Sequence, residues 1–158
     1  MYRALFNGLL MAGFAGMVAI LAFSCREECR YKPKSLAMID FHSVNNGTDN
    51  KSPVSNFTAY GIGREDSLLY NGVSSISSIR IPMNGNSAET GFVFLADGQV
   101  DTVWFTYRVI PWFLSQECGF VLNFDLTGAR HTSNLIDSVV IVTSEVTSFD
   151  DTNVRIYH

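Results

Sequence analysis

The sequence predicts an all-β fold, an antiparallel β-sandwich of immunoglobulin-like size that follows an N-terminal signal helix. Three observations support this prediction. Short β-favouring segments recur at intervals of roughly 8–12 residues after residue 34, and turn dipeptides separate them. Beyond the signal, no segment has the apolar period of an amphipathic helix. A barrel with the same number of strands is the alternative.

The predicted elements are short and follow one another closely. We expect strands at 36–41, 54–62, 67–70, 76–81, 90–95, 100–109, 120–126, 138–146 and 152–157, with loops at 42–53 and 128–134. The dipeptides Asn71-Gly72 and Asp97-Gly98 predict hairpin turns, and Asn45-Asn46-Gly47 is typical turn chemistry. Pro111–Leu114 interrupts the alternation, which predicts a corner or a short helical turn. The segment 138–146 is apolar on both faces, so we expect a central strand.

The first residues have the layout of an export signal. Arg3 precedes an apolar segment that continues to Phe23, and small residues stand just before Cys25. We therefore expect residues 1–24 to be removed, residues 25–34 to form a tether and residues 35–158 to form the domain. A retained anchor helix is the alternative. The stretch Leu21-Ala22-Phe23-Ser24-Cys25 loosely resembles a lipobox, which predicts lipidation of Cys25, although ordinary signal peptidase could also cut there.

The three cysteines support the lipid anchor. In an oxidising compartment a leftover thiol is a liability, and lipidation of Cys25 would leave Cys29 and Cys118 as a pair. A disulfide between them would close a loop of about 90 residues and contribute ~4–5 kcal/mol on the chain-entropy model. The alternatives are an unpaired thiol or a pairing of Cys25 with Cys118.

The charge balance excludes some partners. The net charge of the whole chain is −4, and removal of Arg3 with the signal makes the mature chain more acidic. This is the wrong sign for nucleic acid or for electrostatic binding to anionic lipid. We expect attachment to the membrane through acyl chains on Cys25, because each buried methylene contributes ~0.8 kcal/mol.

Four stretches resemble a known group of proteins. They are Cys-x-x-x-Cys-Arg at 25–30, Tyr60–Asn71 with its Gly-Arg-Glu-Asp-Ser segment, Ser115–Phe120 with Glu-Cys-Gly-Phe, and Asn153–Tyr157. Together they resemble an uncharacterised family of Bacteroidetes envelope lipoproteins, a domain of unknown function. The resemblance implies an envelope location and a small β domain. It implies no activity and no functional residues.

Two groups of residues are candidates for binding. Arg64, Glu65 and Asp66 lie beside two glycines on an expected loop, where charged residues often contact ligands. The alternative is a solvated turn whose charges pair with one another. Trp104 and Trp112 could stack on sugar rings or anchor a protein partner, or they could belong to the core. Tyr107 we assign to the core.

No catalytic or metal site is expected. The histidines His42, His131 and His158 have no metal-ligand spacing between them. The sequence contains no Gly-x-Ser-x-Gly elbow and no cysteine in a plausible nucleophile setting. We therefore predict a protein that is not an enzyme and needs no cofactor.

Three triplets match an acid-hydroxyl-apolar pattern of O-glycosylation in exported Bacteroidetes proteins. The acceptor residues would be Ser67, Thr102 and Ser138. The alternative is that the acid ends a turn and the hydroxyl residue begins a strand.

These observations predict a lipid-anchored cell-envelope protein of the outer membrane, periplasmic or surface-facing. We expect a non-catalytic binding or assembly module whose partner is an envelope protein or a glycan. The alternatives are a structural, adhesin-like subunit that pairs by strand addition and a secreted glycan-binding protein. Donation of the strand at 152–157 would require that strand to be unpaired in its own sheet.

Overall fold

The computed structural model describes residues 34–149 and 151–158, which form an all-β sandwich. In this part of the chain there are eleven strands: β1 (Leu36–Asn45), β2 (Thr48–Lys51), β3 (Val54–Gly61), β4 (Leu68–Ile76), β5 (Ser78–Pro82), β6 (Glu89–Ala96), β7 (Gln99–Ser115), β8 (Gly119–His131), β9 (Ser138–Ile141), β10 (Glu145–Val146) and β11 (Thr152–Tyr157). The predicted fold class is confirmed.

The first sheet, sheet A, contains strands from both halves of the chain. Its order is β2-β1-β11-β9, and β5 also pairs with β1. The pairing of β1 with β11 is parallel, whereas the other pairings are antiparallel. Because β11 lies between β1 and β9, this strand is not free for donation to another molecule.

The second sheet, sheet B, is antiparallel and has the order β10-β8-β7-β6-β3-β4. β4 belongs to sheet B and β5 to sheet A, with only Ser77 between them. A nearly continuous stretch of chain therefore crosses from one sheet to the other.

Aromatic rings fill the space between the sheets. The ring of Phe57 is fully buried and lies 5.3 Å from Phe41, 5.5 Å from Phe94 and 5.8 Å from Tyr70. Contacts of this kind are worth about 0.5–1.5 kcal/mol beyond the apolar area they bury. Tyr107 is also buried, which confirms its assignment to the core.

Several strand predictions are confirmed and two turn predictions need correction. The Asp97-Gly98 turn joins β6 to β7, and both residues have positive φ as a type I′ turn requires. The expected loop at 42–53 is wrong, because β1 and β2 form a hairpin there around Asn46-Gly47. Asn71-Gly72 does not end a strand either. Gly72 lies inside β4 with positive φ, where the register with β3 is irregular.

The other corrections concern the second half of the chain. Pro111–Leu114 forms neither a corner nor a helical turn but continues β7 to Ser115. Proline is tolerated because only β8 flanks this part of β7 in the described structure, so one edge is open. β8 continues to His131, into the expected loop at 128–134. The segment 138–146 is not one central strand: it contains β9, at the end of sheet A, and β10, in sheet B.

Candidate functional site

β7 and β8 extend beyond the rest of sheet B as a two-stranded ribbon. Pairing of β6 with β7 ends at Thr106, whereas β7 and β8 stay paired as far as Ser115 and Gly119. On the other edge, β10 contacts β8 only at Phe124 and Asp125. We call residues 109–123 the arm. A two-stranded ribbon alone is marginally stable in water, so the arm depends on what packs against it.

The arm exposes apolar side chains to solvent on both of its strands. Those with exposed fractions between 36% and 59% are Ile110, Trp112, Phe113, Leu114, Phe120 and Leu122. Phe113 and Phe120 pair across the two strands, with ring centroids 5.3 Å apart. The arm is the largest grouping of exposed apolar residues along the described chain. Contiguous surfaces of this kind mark interaction sites in soluble domains.

The arm is joined at its base to the start of β1. Ser35 Oγ donates a hydrogen bond to Asn123 Oδ1 over 2.7 Å. An apolar cleft of about 330 Å³ lies beside this contact, between the arm and the end of β5. Its lining residues are Lys34, Ser35, Leu36, Pro82, Met83, Gly85, Phe120, Val121, Leu122 and Phe124. The chain therefore enters the domain next to the arm.

A second cleft, of about 480 Å³, contains one of the predicted binding residues. Arg64 lines it together with Glu89, Thr90 and Gly91. Trp104 pairs with Gly91 across the strands, and its ring covers that glycine. Gly91 thus lies in the cleft that Arg64 lines and also beneath the ring of Trp104, whereas Trp112 lies apart on the arm.

Trp104 is not an open stacking platform. The guanidinium of Arg130 lies 4.0 Å from the centroid of the indole ring, and Arg130 Nη2 donates to Glu89 Oε1 over 3.0 Å. One face of the ring is thus occupied by a cation–π contact. A sugar ring could stack there only after displacing Arg130.

Sheet A carries a polar cluster on the strands β1, β2 and β11. Asp49 accepts hydrogen bonds from His42 Nδ1 at 2.6 Å, Tyr157 Oη at 3.1 Å and Arg155 Nη1 at 3.2 Å. The bond from His42 contributes most to a lowered pKa of Asp49, and Tyr157 and Arg155 add to it. A His–Asp pair can orient a catalytic base, but the contacts of this cluster include no hydroxyl or thiol nucleophile on His42. Its contacts join three strands.

Two buried aspartates have structural partners that no pattern in the sequence indicates. Asp40 accepts hydrogen bonds from Ser78, Lys51 and Thr152, on three different strands. Burial alone would raise the pKa of this carboxyl, but these bonds outweigh burial and lower it.

Asp101 is the second of these aspartates. Its carboxylate accepts hydrogen bonds from the hydroxyl of Thr132 and from the backbone N–H groups of Asn134, Leu135 and Ile136. Burial raises the pKa of Asp101, but the four donors reverse that effect and lower it. In the sequence, Asp101 is notable only as the acid that precedes Thr102 in one of the glycosylation triplets. In the loop at 132–137, the pair Ser133-Asn134 gave no indication that its neighbours bind Asp101 in β7.

The remaining predicted site residues are dispersed. Glu65 and Asp66 are exposed in the connection between β3 and β4, and so is Ser67. Thr102 in β7 and Ser138 in β9 are half-buried. The structure does not test their modification.

The predicted signal, tether and cysteine roles fall mainly outside the described residues. Cys25, Cys29 and the proposed cleavage point all lie outside the described residues. Cys118 lies in the turn at the tip of the arm and is not a free thiol. Its pairing with Cys29 stays a prediction.

The described residues contain neither a group of metal-ligating side chains nor a membrane-spanning helix. Across 34–149 and 151–158, no three His, Cys, Asp or Glu side chains are grouped so that they could hold a metal ion. Within the same ranges, no helix has the length and hydropathy that a membrane span requires.

The fold and its surface define a β-sandwich domain with a protruding apolar arm. The chain belongs to the Family of unknown function (DUF6452), whose match covers residues 56–158. This match includes the arm, the Arg64 cleft and β11. No curated protein and no solved structure is significantly similar to the chain.

Proposed function

We propose that this chain is a lipid-anchored protein of the cell envelope whose β-sandwich acts by binding and not by catalysis. The observation that carries the proposal is the arm. The domain has a well-packed core, but the apolar side chains of the arm are exposed. The polar clusters around Asp40, Asp49 and Asp101 link strands and loops to one another, which supports a structural role for them.

The sequence around Cys25 supports the lipid anchor. Small residues and an apolar segment precede this cysteine, as expected before a lipidated first residue. The test is metabolic labelling with radioactive palmitate of the full chain with its own signal. We expect label on the wild type and on Cys29→Ala, which is the matched control, and none on Cys25→Ala. Equal labelling of all three proteins would contradict the anchor.

The spacing of the chain supports a Cys29–Cys118 disulfide. Ser35 and Asn123 are hydrogen-bonded at the base of the arm. Cys29 lies six positions before Ser35, and Cys118 lies five positions before Asn123. Six positions correspond to at most about 20 Å of chain, so the number of residues before Ser35 is sufficient for this pairing. Cys25 is four positions further away.

The binding role of the arm can be tested in native envelopes. We expect lipid or protein that co-purifies with the wild type to be lost from Trp112→Ser/Phe113→Ser. Val100→Ser is the matched control, because Val100 is 47% exposed on the same strand but at the opposite end. Equal recovery with all three proteins would remove the arm as the interaction surface.

A second candidate function is that of a structural subunit pairing by strand addition. The open edges of the arm favour it, since unpaired backbone groups can accept another strand. Sedimentation equilibrium is the test. Concentration-dependent association that Trp112→Ser/Phe113→Ser abolishes would favour this alternative.

Glycosylation stays a proposal, and exposure favours Ser67 over Thr102 and Ser138. An intact mass equal to the bare chain plus lipid would exclude it at all three.

A further inference from the structure

We infer that the tip of the arm inserts into the interfacial layer of the bilayer that holds the lipid anchor. The arm would then be a second attachment point, which fixes the orientation of the domain on the membrane. This inference rests on the proposed function, because it takes Cys25 to be lipidated and Cys29 to be paired with Cys118. The inserting side chains would be Trp112, Phe113, Leu114 and Phe120.

The proposed disulfide, together with the short chain between Cys25 and Cys29, would hold the anchor near the tip. Cys118 lies in the turn between β7 and β8, and its proposed partner is Cys29. Cys29 lies four positions after Cys25, which is at most about 14 Å of extended chain. The acyl chains and the apolar tip are therefore held close together, so the tip meets the bilayer at a high effective concentration.

The composition of the arm suits the interface of a bilayer. Between residues 109 and 123, Glu117 is the only charged residue. The ion pair between Arg108 and Asp125 lies just below, where the ribbon joins the sandwich. Trp112 combines an apolar ring with an indole N–H, and such residues are enriched at membrane interfaces. Glu117 lies in the turn at the tip, where its carboxylate can stay at the level of the lipid headgroups. An aromatic tip with a single carboxylate, above an ion-paired base, is the arrangement expected for shallow insertion.

A second copy of the chain is the competing occupant. Pairing of two arms would also cover the exposed apolar side chains of the arm. The bilayer is favoured because the anchor brings it to the tip in every molecule, whatever the protein concentration. The mature chain is acidic, so we expect insertion into zwitterionic lipid rather than preference for anionic lipid.

The two tryptophans of the chain allow a direct test. In Trp104→Phe, Trp112 is the only tryptophan and reports on the tip. In Trp112→Phe, Trp104 is the reporter, eight positions along the same strand and about 26 Å away. The full-length lipidated proteins are reconstituted into phosphatidylethanolamine–phosphatidylcholine vesicles that contain brominated lipids, which quench fluorescence on contact.

We expect strong quenching of Trp112 and little quenching of Trp104. Interfacial side chains reach about 5–10 Å into the boundary between headgroups and acyl chains. Lipids brominated near the glycerol end should therefore quench Trp112 more than lipids brominated near the methyl end. Phe113→Ser/Phe120→Ser in the Trp104→Phe background should reduce this quenching, and Val100→Ser in the same background should not.

Several outcomes would overturn the inference. Absence of quenching at Trp112, with palmitate present on Cys25, would refute insertion and leave the proposed function intact. Equal quenching of both tryptophans would show that the whole domain lies on the membrane. Shielding of Trp112 in lipid-free protein, increasing with protein concentration, would assign the arm to a second copy. Absence of palmitate would refute the proposed function itself, and the inference with it.

Discussion

The carboxylate of Asp101 accepts a hydrogen bond from the backbone N–H of Ile136 over 2.9 Å, across 35 positions of the chain. The same carboxylate also binds Leu135 and Asn134, so one side chain of β7 satisfies three successive N–H groups of the loop before β9. A buried backbone N–H group without a hydrogen-bond acceptor is costly. In this loop, the carboxylate of Asp101 is the acceptor for all three N–H groups.

Replacement of this carboxylate should therefore destabilise the domain. In Asp101→Asn the amide group would direct N–H donors at backbone N–H donors, so we expect a loss of about 2–3 kcal/mol in the free energy of unfolding. The measurement is urea denaturation followed by circular dichroism. Asp97→Asn is the control, since Asp97 is exposed in a turn whose positive φ asparagine tolerates. Equal stability of Asp101→Asn and wild type would contradict the role of the carboxylate.

Acid should weaken the domain in a defined range. The pKa values of Asp40 and Asp101 lie below the ordinary aspartate value of about 3.8. The unfolded chain therefore binds protons first as pH falls. The stabilisation is complete above about pH 5, and it is lost progressively as pH drops past the unfolded pKa and then through the folded pKa values. Urea midpoints measured from pH 6 down to pH 3 should fall below about pH 5.

The variant Asp101→Asn also serves as the control for this pH dependence. Its midpoints should depend less on acid than those of the wild type, because one carboxyl with a lowered pKa is gone. A wild-type midpoint that stays constant to pH 3 would contradict the lowered pKa values.

A side chain at Gly91 should disturb the Arg64 cleft. A Cβ there would lie 2.4 Å from Ile62 Cδ1 and 2.7 Å from Trp104 Cδ1. Both side chains must move, so we expect Gly91→Ala to cost about 1–3 kcal/mol and to shift the fluorescence of Trp104. Gly61→Ala is the control, because the nearest atom to its Cβ would be 3.8 Å away. Similar behaviour of the two variants would show that the packing over Gly91 is loose.

The proposed disulfide also makes a measurable contribution. We expect Cys29→Ala and Cys118→Ala each to lose about 2–5 kcal/mol of stability and to become insensitive to reductant. Cys25→Ala should keep both the stability and the sensitivity. If instead Cys25→Ala lost the sensitivity and Cys29→Ala kept it, the pairing would be between Cys25 and Cys118.

The fold class could be predicted because its evidence is local. The turn at Asp97-Gly98 and the alternation around Val103 and Phe105 need no knowledge of distant residues. The extent of strands was harder to predict. β7 continues through Pro111 because one of its edges is open, and alternation in the sequence does not show which edges have neighbours.

The candidate site depends on contacts between residues that are far apart in the sequence. Trp112 was identified as a possible binding residue, but its position on a ribbon beyond the sandwich follows from where β6 and β10 end. Arg64 lines a cleft with Gly91, and Trp104 covers the same glycine, so the relation between the two residues runs through β6. The bulged Gly72 resembled a hairpin turn because the same dipeptide chemistry serves both structures.

The parallel pairing of β1 with β11 has a consequence for the kinetics of folding. More than a hundred residues separate the two strands, so their contact has one of the highest closure entropies in the domain. During synthesis, β1 is complete long before β11 is available to pair with it. In that interval a chaperone that shields the exposed edge of β1 would protect the chain from aggregation.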